Sequence, residues 1–301
     1  MHRTGGLDLA PPGAAIGLDD YVTAMTECEV PFEHLDAGEL MRRWPQWRLG
    51  ADTHGLFQAD AGFVDPSRAT AAHQRLAHAN GARLIARTPV TAIDWRDGEA
   101  VVRTADATYR AGAVVLATDA WTNELLEPID RRLPLTVTRE QVTYFTARDR
   151  SAFVPERFPI WIWMDVPSFY GFPTYGEAGP KIGEDVGGVE TTARTRSYDP
   201  DPAGLERATA FVAKHLPGMN GPELVTKTCL YTMTPDRDFV VDSLPDMPGI
   251  QVCLGAAHGF KYASVLGRIL AERIIDGSSA SDGDLAGFAI DRPVLRMADP
   301  P

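Results

Sequence analysis

The sequence predicts an α/β (α+β) fold in which helix–strand segments are interrupted by a long stretch of antiparallel sheet. Three observations carry this. A helical run from Pro66 to Gly81 leads through short strands to Ala113-Val-Val-Leu-Ala-Thr118, a continuous apolar run of the kind found in strands buried on both faces. From Leu133 to Tyr231 the texture changes to short alternating strands. The strand Gly249 to Leu254 then passes into a helix, Ala263 to Asp276.

In chain order, Thr4-Gly-Gly-Leu-Asp-Leu9 reads as a short strand. Leu18 to Glu27 reads as a helix capped by Asp19 or Asp20. Leu35 to Trp44 is a second helix, stopped by Pro45. In the third, Pro66 stands near the start and Ala69, Ala72, Leu76 and Ala79 recur at helical spacing before Gly81. Arg83-Leu-Ile-Ala86 and Val90 to Trp95 are expected strands, and Arg96-Asp-Gly98 is a hairpin turn to Glu99–Thr104. Val137 to Phe145, Ile160 to Met164, Phe169 to Pro173 and Lys181 to Asp185 supply the antiparallel part. Gly204 to His215 is a helix with Leu205, Ala208, Phe211 and Val212 on one face. The tail Ile290 to Leu295 is expected to be extended. The helix and buried strand describe part of an α/β nucleotide-binding domain. The two textures alternate along the chain, so the domains are expected to be discontinuous.

Composition narrows the function. At 301 residues the chain is long enough for one large or two ordinary domains, and 44% hydrophobic with 23% charged residues is usual for a soluble globular protein. A net charge of −12 argues against nucleic acid or an anionic membrane as partner, because phosphates are repelled. No apolar run approaches membrane-spanning length, and the N-terminus lacks the apolar core of a signal peptide. Cys28, Cys229 and Cys253 are odd in number and lack metal-ligand spacing, which fits a reducing cytoplasm. No metal site and no G-x-S-x-G serine elbow is expected.

Chemistry concentrates in two stretches. In Thr226-Lys-Thr-Cys-Leu-Tyr-Thr-Met-Thr-Pro-Asp236, the thiol of Cys229 and the phenol of Tyr231 stand two apart, so a strand points both to one side. Gly255-Ala-Ala-His-Gly-Phe-Lys261 is a glycine-bounded loop running into a helix, where backbone can approach a ligand closely. On spacing alone, the plainer reading is a buried structural cysteine, a core tyrosine and a surface lysine. Trp161 and Trp163 alternate on a strand as core or cavity wall, and Tyr170 and Phe172 fit a cavity boundary and plain packing equally.

Taken together, Cys229-Leu-Tyr-Thr-Met-Thr-Pro-Asp, Tyr170-Gly-Phe-Pro, Gly179-Pro-Lys-Ile-Gly, His258-Gly-Phe-Lys and Ile290-Asp-Arg-Pro resemble the monomeric sarcosine oxidase and N-methyltryptophan oxidase family, with Arg42-Arg-Trp-Pro and Pro134-Leu-Thr-Val-Thr-Arg in support. The likeness is collinear over nearly the whole chain. It implies a D-amino-acid-oxidase-like flavin enzyme that oxidises secondary amines such as N-methyl amino acids and reduces O2 to peroxide. It implies FAD carried covalently on Cys229. By the same resemblance Lys261 binds the substrate carboxylate, Tyr231 lines the cavity and Lys181 assists oxygen reduction. Gly255, His258 and Gly259 approach the flavin, with His258 orienting backbone there, and Val114 to Trp121 passes its nucleotide part. The implied architecture is an incomplete FAD-binding α/β domain, residues 59–132 and 232–301, interleaved with an antiparallel-sheet substrate domain, residues 1–58 and 133–231.

Two departures from the family stand out. No G-x-G-x-x-G βαβ unit, which holds the FAD pyrophosphate in such enzymes, occurs in the chain. And Asp185 stands where the family usually has an active-site histidine. A carboxylate there favours a different amine, or marks lost activity, or is simply a solvated strand end. The alternatives to an active oxidase are a non-catalytic relative and a chain completed by a partner that supplies the dinucleotide-binding segment. Loss of the βαβ unit is expected to expose apolar edges such as Ala113-Val-Val-Leu-Ala. The expected partners are otherwise a small amine and O2.

Overall fold

The computed structural model describes residues 1–296. The chain forms two compact units. The first comprises Met1–Asp65, Arg139–Val189 and Ser197–Cys229; the second comprises Pro66–Thr138, Glu190–Arg196 and the chain from Leu230. Both are built from segments distant in sequence.

The first unit is organised on a sheet of nine strands among the described residues. Gly6–Ala10 lies inside it, antiparallel to His54–Gln58 and parallel to Ile160–Trp163. Beyond Ile160–Trp163 come Ser168–Phe172, Lys181–Asp185 and Thr136–Phe145, each antiparallel to the one before. Glu223–Met233 pairs with Thr136–Phe145. The strict alternation of strand side chains gives this sheet two unlike faces. One carries Leu7, Leu9, Trp161, Trp163, Phe169 and Ile182, all buried. Against it packs the helix Pro202–His215 through Ala208, Phe211 and Val212, the stripe legible in the sequence. Trp161 stacks on Phe211 with ring centroids 5.6 Å apart, so both strand tryptophans belong to the core. That helix starts where Asp201 accepts hydrogen bonds from the Ala203 and Gly204 amides, with Pro202 in its first turn.

One end of the other face is covered by a helix. There the helix Asp19–Glu27 and its flanks set Leu18, Ile16, Val22 and Met25 against Leu56 and Met164. The cap differs from expectation. Leu18 takes the cap position with no side-chain bond, while Asp19 and Asp20 fall inside the first turn, where they complement the helix dipole. In the next helix, Ala37–Arg43, Asp36 is the cap and accepts from the Glu39 amide.

Among the described residues the second unit holds two three-stranded sheets. One is the meander Val90–Arg96, Glu99–Thr104 and Thr108–Ala111. In the other, Met247–Leu254 pairs antiparallel with Val240–Leu244 and parallel with Val114–Leu116. Leu116, Val240, Ile250, Val252 and Leu254 bury together, and the helix Ala263–Asp276 packs Leu266, Ile269 and Leu270 onto Val241 and Phe239. Here the apolar pattern over-promised. Val114 and Val115 are only half-buried and Ala117 is exposed, because one long edge of that strand has no neighbour among the described residues. Arg83-Leu-Ile-Ala86 is not a strand: no strand pairs with it, and Leu84 and Ile85 are 55% and 45% exposed. The helix Pro66–Ala79 buries no residue fully. The tail is not extended throughout, since Pro293–Leu295 closes a 3₁₀ turn with Leu295 buried.

Leu84→Lys with Ile85→Lys therefore leaves unfolding stability within about 0.5 kcal/mol, the range of surface changes. Denaturant titration checks this, and a larger loss means that these side chains are buried in the folded state.

Candidate active site

The open part of the first sheet face collects the chemistry of that unit. Cross-strand register places Ile162, Tyr170, Gly183 and Val142 in one row, with Asp8 and Leu56 continuing it. The next row carries Ile160, Phe172, Lys181 and Tyr144. Lys181 is half-buried, and its Nζ lies 4.1 Å over the Phe172 ring. Tyr170 lies across Gly183, where a Cβ would stand 2.6 Å from the ring carbon Cζ, so a larger residue there would displace the ring. Phe63 and Tyr175 extend this aromatic wall, with ring centroids 5.0 Å apart and Phe63 edge-on to Phe172.

Burial pushes the Lys181 ammonium below the usual lysine range; Cys229 opposes this by favouring the charged form, and Lys227 adds to the lowering. Lys181 and Cys229 thus sense each other's charge within one unit. Asp185, the substituted position, ends the Lys181 strand, half-buried and engaged with a neighbour. Glu184, between them, points to the opposite face and pairs with Arg207 at 2.7 Å.

The second unit carries the other predicted residues. Tyr231 is half-buried on Glu223–Met233, two positions past Cys229. Gly255 to Gly259 links Met247–Leu254 to the helix Ala263–Asp276 through a short 3₁₀ turn, Gly259–Tyr262. Ala256 and Ala257 sit at φ of 43° and 73°, a conformation that is strained for any residue with a Cβ. A Cβ on Gly255 would stand 2.8 Å from the Gly259 backbone, so the loop doubles back on itself at Gly255. The His258 ring lies 5.0 Å from Phe239, and its Nε2 is 3.2 Å from the Arg237 carbonyl, which ties the loop to the Thr-Pro-Asp turn. Lys261 is exposed, with Nζ 5.5 Å from the Tyr262 ring. Trp121, in the 3₁₀ turn after Val114–Leu116, is 48% exposed.

Sequence reasoning missed two features. Asp236 of the Thr-Pro-Asp motif receives a bidentate pair from Arg292 at 2.8 and 2.9 Å, and Arg292 also donates to the carbonyls of Asp238, Phe239 and Ala289. Both motifs were visible, but nothing in their spacing joins residues 56 positions apart. The other is Asp8. Its place between Leu7 and Leu9 turns it to the open face, where burial lifts its carboxyl to about 6. No described residue donates a hydrogen bond to it.

A cation, a thiol and an aromatic wall on one face suit the ring end of a flavin, and the Gly255 loop offers close backbone approach at a helix start. For a pyrophosphate, the described residues hold no further strand–glycine turn–helix unit. Among them no group of His, Cys, Asp and Glu is placed to hold a metal, and no helix is long and apolar enough to cross a membrane.

This mixed α/β architecture is that of the flavin-dependent amino acid oxidases. NikD, an unusual amino acid oxidase essential for nikkomycin biosynthesis, superposes with a TM-score of 0.81 over 96% of this chain and 76% of that chain, at 27% identity. Glycine oxidase from Geobacillus kaustophilus shares the fold with a TM-score of 0.80 at 21% identity, over 98% of this chain and 76% of that one. Residues 1–273 match the FAD dependent oxidoreductase (DAO) family, and the chain belongs to it. It is an oxidoreductase of the sarcosine oxidase and N-methyltryptophan oxidase type. Monomeric sarcosine oxidase of Streptomyces avermitilis is 34% identical over 93% of this chain and 76% of its own length. N-methyl-L-tryptophan oxidase of Escherichia coli O139:H28 is 32% identical over 96% of this chain and 77% of its own. Relatives named as monomeric enzymes give the expected partner chain no support.

Proposed function

We propose that the chain oxidises the C–N bond of a secondary amine, an N-methyl amino acid of the sarcosine kind, to an imine, with O2 reduced to H2O2. The observation that carries this reading is Lys181, a desolvated cation on the open sheet face and within electrostatic reach of Cys229. FAD, when bound, supplies the acceptor for the hydride equivalent and the route of two electrons to oxygen. Cys229 holds it covalently. Lys181 sets a fixed positive charge where negative charge develops on oxygen, and its partial desolvation strengthens that field. Lys261 pairs with the substrate carboxylate as a point charge. Tyr231 bounds the substrate space. Gly255, His258 and Gly259 would present backbone to the ring, and Trp121 would stand near the nucleotide part. Asp185 replaces a basic group with an acidic one and shifts preference toward more cationic amines. Free thiols at all three cysteines fit the reducing cytoplasm.

The test is peroxide release from the FAD-loaded chain with a panel of N-methyl amino acids. Turnover of at least one is expected, with yellow colour that stays in the acid precipitate and is lost from it in Cys229→Ser. A folded, flavin-loaded sample inert to the whole panel overturns the substrate assignment. Colour retained in acid-precipitated Cys229→Ser overturns the attachment site.

A further inference from the structure

Asp8 stands on the same sheet face as Lys181 and Tyr170, at the border of its covered and open parts. On one side its strand neighbour is Leu56, buried under the helix Asp19–Glu27. On the other is Ile162, 42% exposed, and beyond it Tyr170. Two strand spacings, about 10 Å, separate Asp8 from Tyr170. Both flanking side chains are apolar. An ionised carboxylate only accepts hydrogen bonds, so nothing beside it satisfies it. The other carboxylate of this face, Asp185, is already engaged, and Glu184 is turned away onto Arg207.

We propose that Asp8 is a specificity-determining residue of this face, and that the substrate is an N-methyl amino acid whose side chain ends in a cationic nitrogen held by the Asp8 carboxylate. This rests on the amine-oxidase reading above and names the substrate class within it. A ligand lying on Tyr170 and Ile162 must extend about 10 Å to reach Asp8, the length of an extended lysine-like amino acid and well beyond sarcosine. Its methylenes cover Ile162, and its ammonium supplies the donors that the protein withholds. Specificity of this kind is strong, because a neutral analogue leaves the carboxylate unpaired.

The experiment compares Nα-methyl-lysine with its neutral analogue of equal length, 2-(methylamino)heptanoic acid, on the FAD-loaded chain and on Asp8→Asn, by kcat/KM from oxygen consumption and by calorimetric binding. The wild-type ratio in favour of the lysine compound is expected to be about 10-fold or more, falling to within about 2-fold in Asp8→Asn. Equal ratios in the two proteins, or no wild-type preference, overturn the proposal. If neither compound turns over while sarcosine does, the oxidase reading stands and the lysine-like substrate fails. If no amine turns over, the oxidase reading fails, and calorimetry alone decides the role of Asp8 by the same ratio.

Discussion

Arg292→Ala lowers the unfolding free energy by about 3 kcal/mol at pH 7, read by urea titration of the whole chain. The Arg292 side chain is only 10% exposed and its fork reaches one carboxylate and three backbone carbonyls, so truncation removes a donor from four groups at once; the Asp238 carbonyl keeps Thr234 and the Asp236 carboxylate keeps the Asp238 amide. The pair has a pH signature. Arg292 holds the Asp236 carboxyl down at about 2, against an ordinary 3.8. A depressed carboxyl means that the unfolded chain binds the proton more readily. The contribution, about 2 kcal/mol, is therefore present above pH 4 and is lost as pH falls through about 2. The difference between Arg292→Ala and wild type should shrink in that acid window, leaving the share carried by the carbonyl contacts. A constant difference down to pH 2 would show that the arginine acts through its carbonyl contacts alone.

Asp8→Asn does the reverse and stabilises the chain by up to about 3 kcal/mol at pH 7 to 8. Burial raises the Asp8 carboxyl from 3.8 to about 6 with no opposite charge to compensate. Between those values the folded chain holds the proton more tightly than the unfolded one, so stability falls as pH rises through that window. The gain in Asp8→Asn should be full above pH 6 and vanish below pH 4. Thermal unfolding of both proteins across pH 4 to 8 measures it; equal stability at pH 8 would mean that the carboxylate is solvated. A residue that costs stability and whose isostere relieves the cost fits a role in recognition better than one in folding.

These two aspartates show where the sequence was readable and where it stopped. Period-two and helical patterns found most elements. Trp161 and Trp163 could be assigned to one face because alternation is local, and Phe211 because its helix stripe is local. The Cys229 and Gly255 stretches were legible as motifs. The failures are non-local. Arg83-Leu-Ile-Ala86 has a strand's composition but no strand to pair with, and β structure is decided by neighbours more than by propensity. Ala113 to Thr118 reads as doubly buried because its pattern encodes a covered sheet, while Val114–Leu116 has one neighbour. Asp8 looked like one polar residue in an alternating strand. Only the register with Ile162 and Leu56 reveals what faces it.

The parallel pairing of Asp8 with Ile162 also sets a timetable. The two residues are 154 positions apart (162 − 8), and at about 5–20 residues per second the ribosome needs roughly 8–30 s to travel between them. During that interval Gly6–Ala10 can pair only with His54–Gln58, and its other edge stays open. Contacts of such long range slow folding, and this strand edge waits open for its partner until Trp163 has emerged.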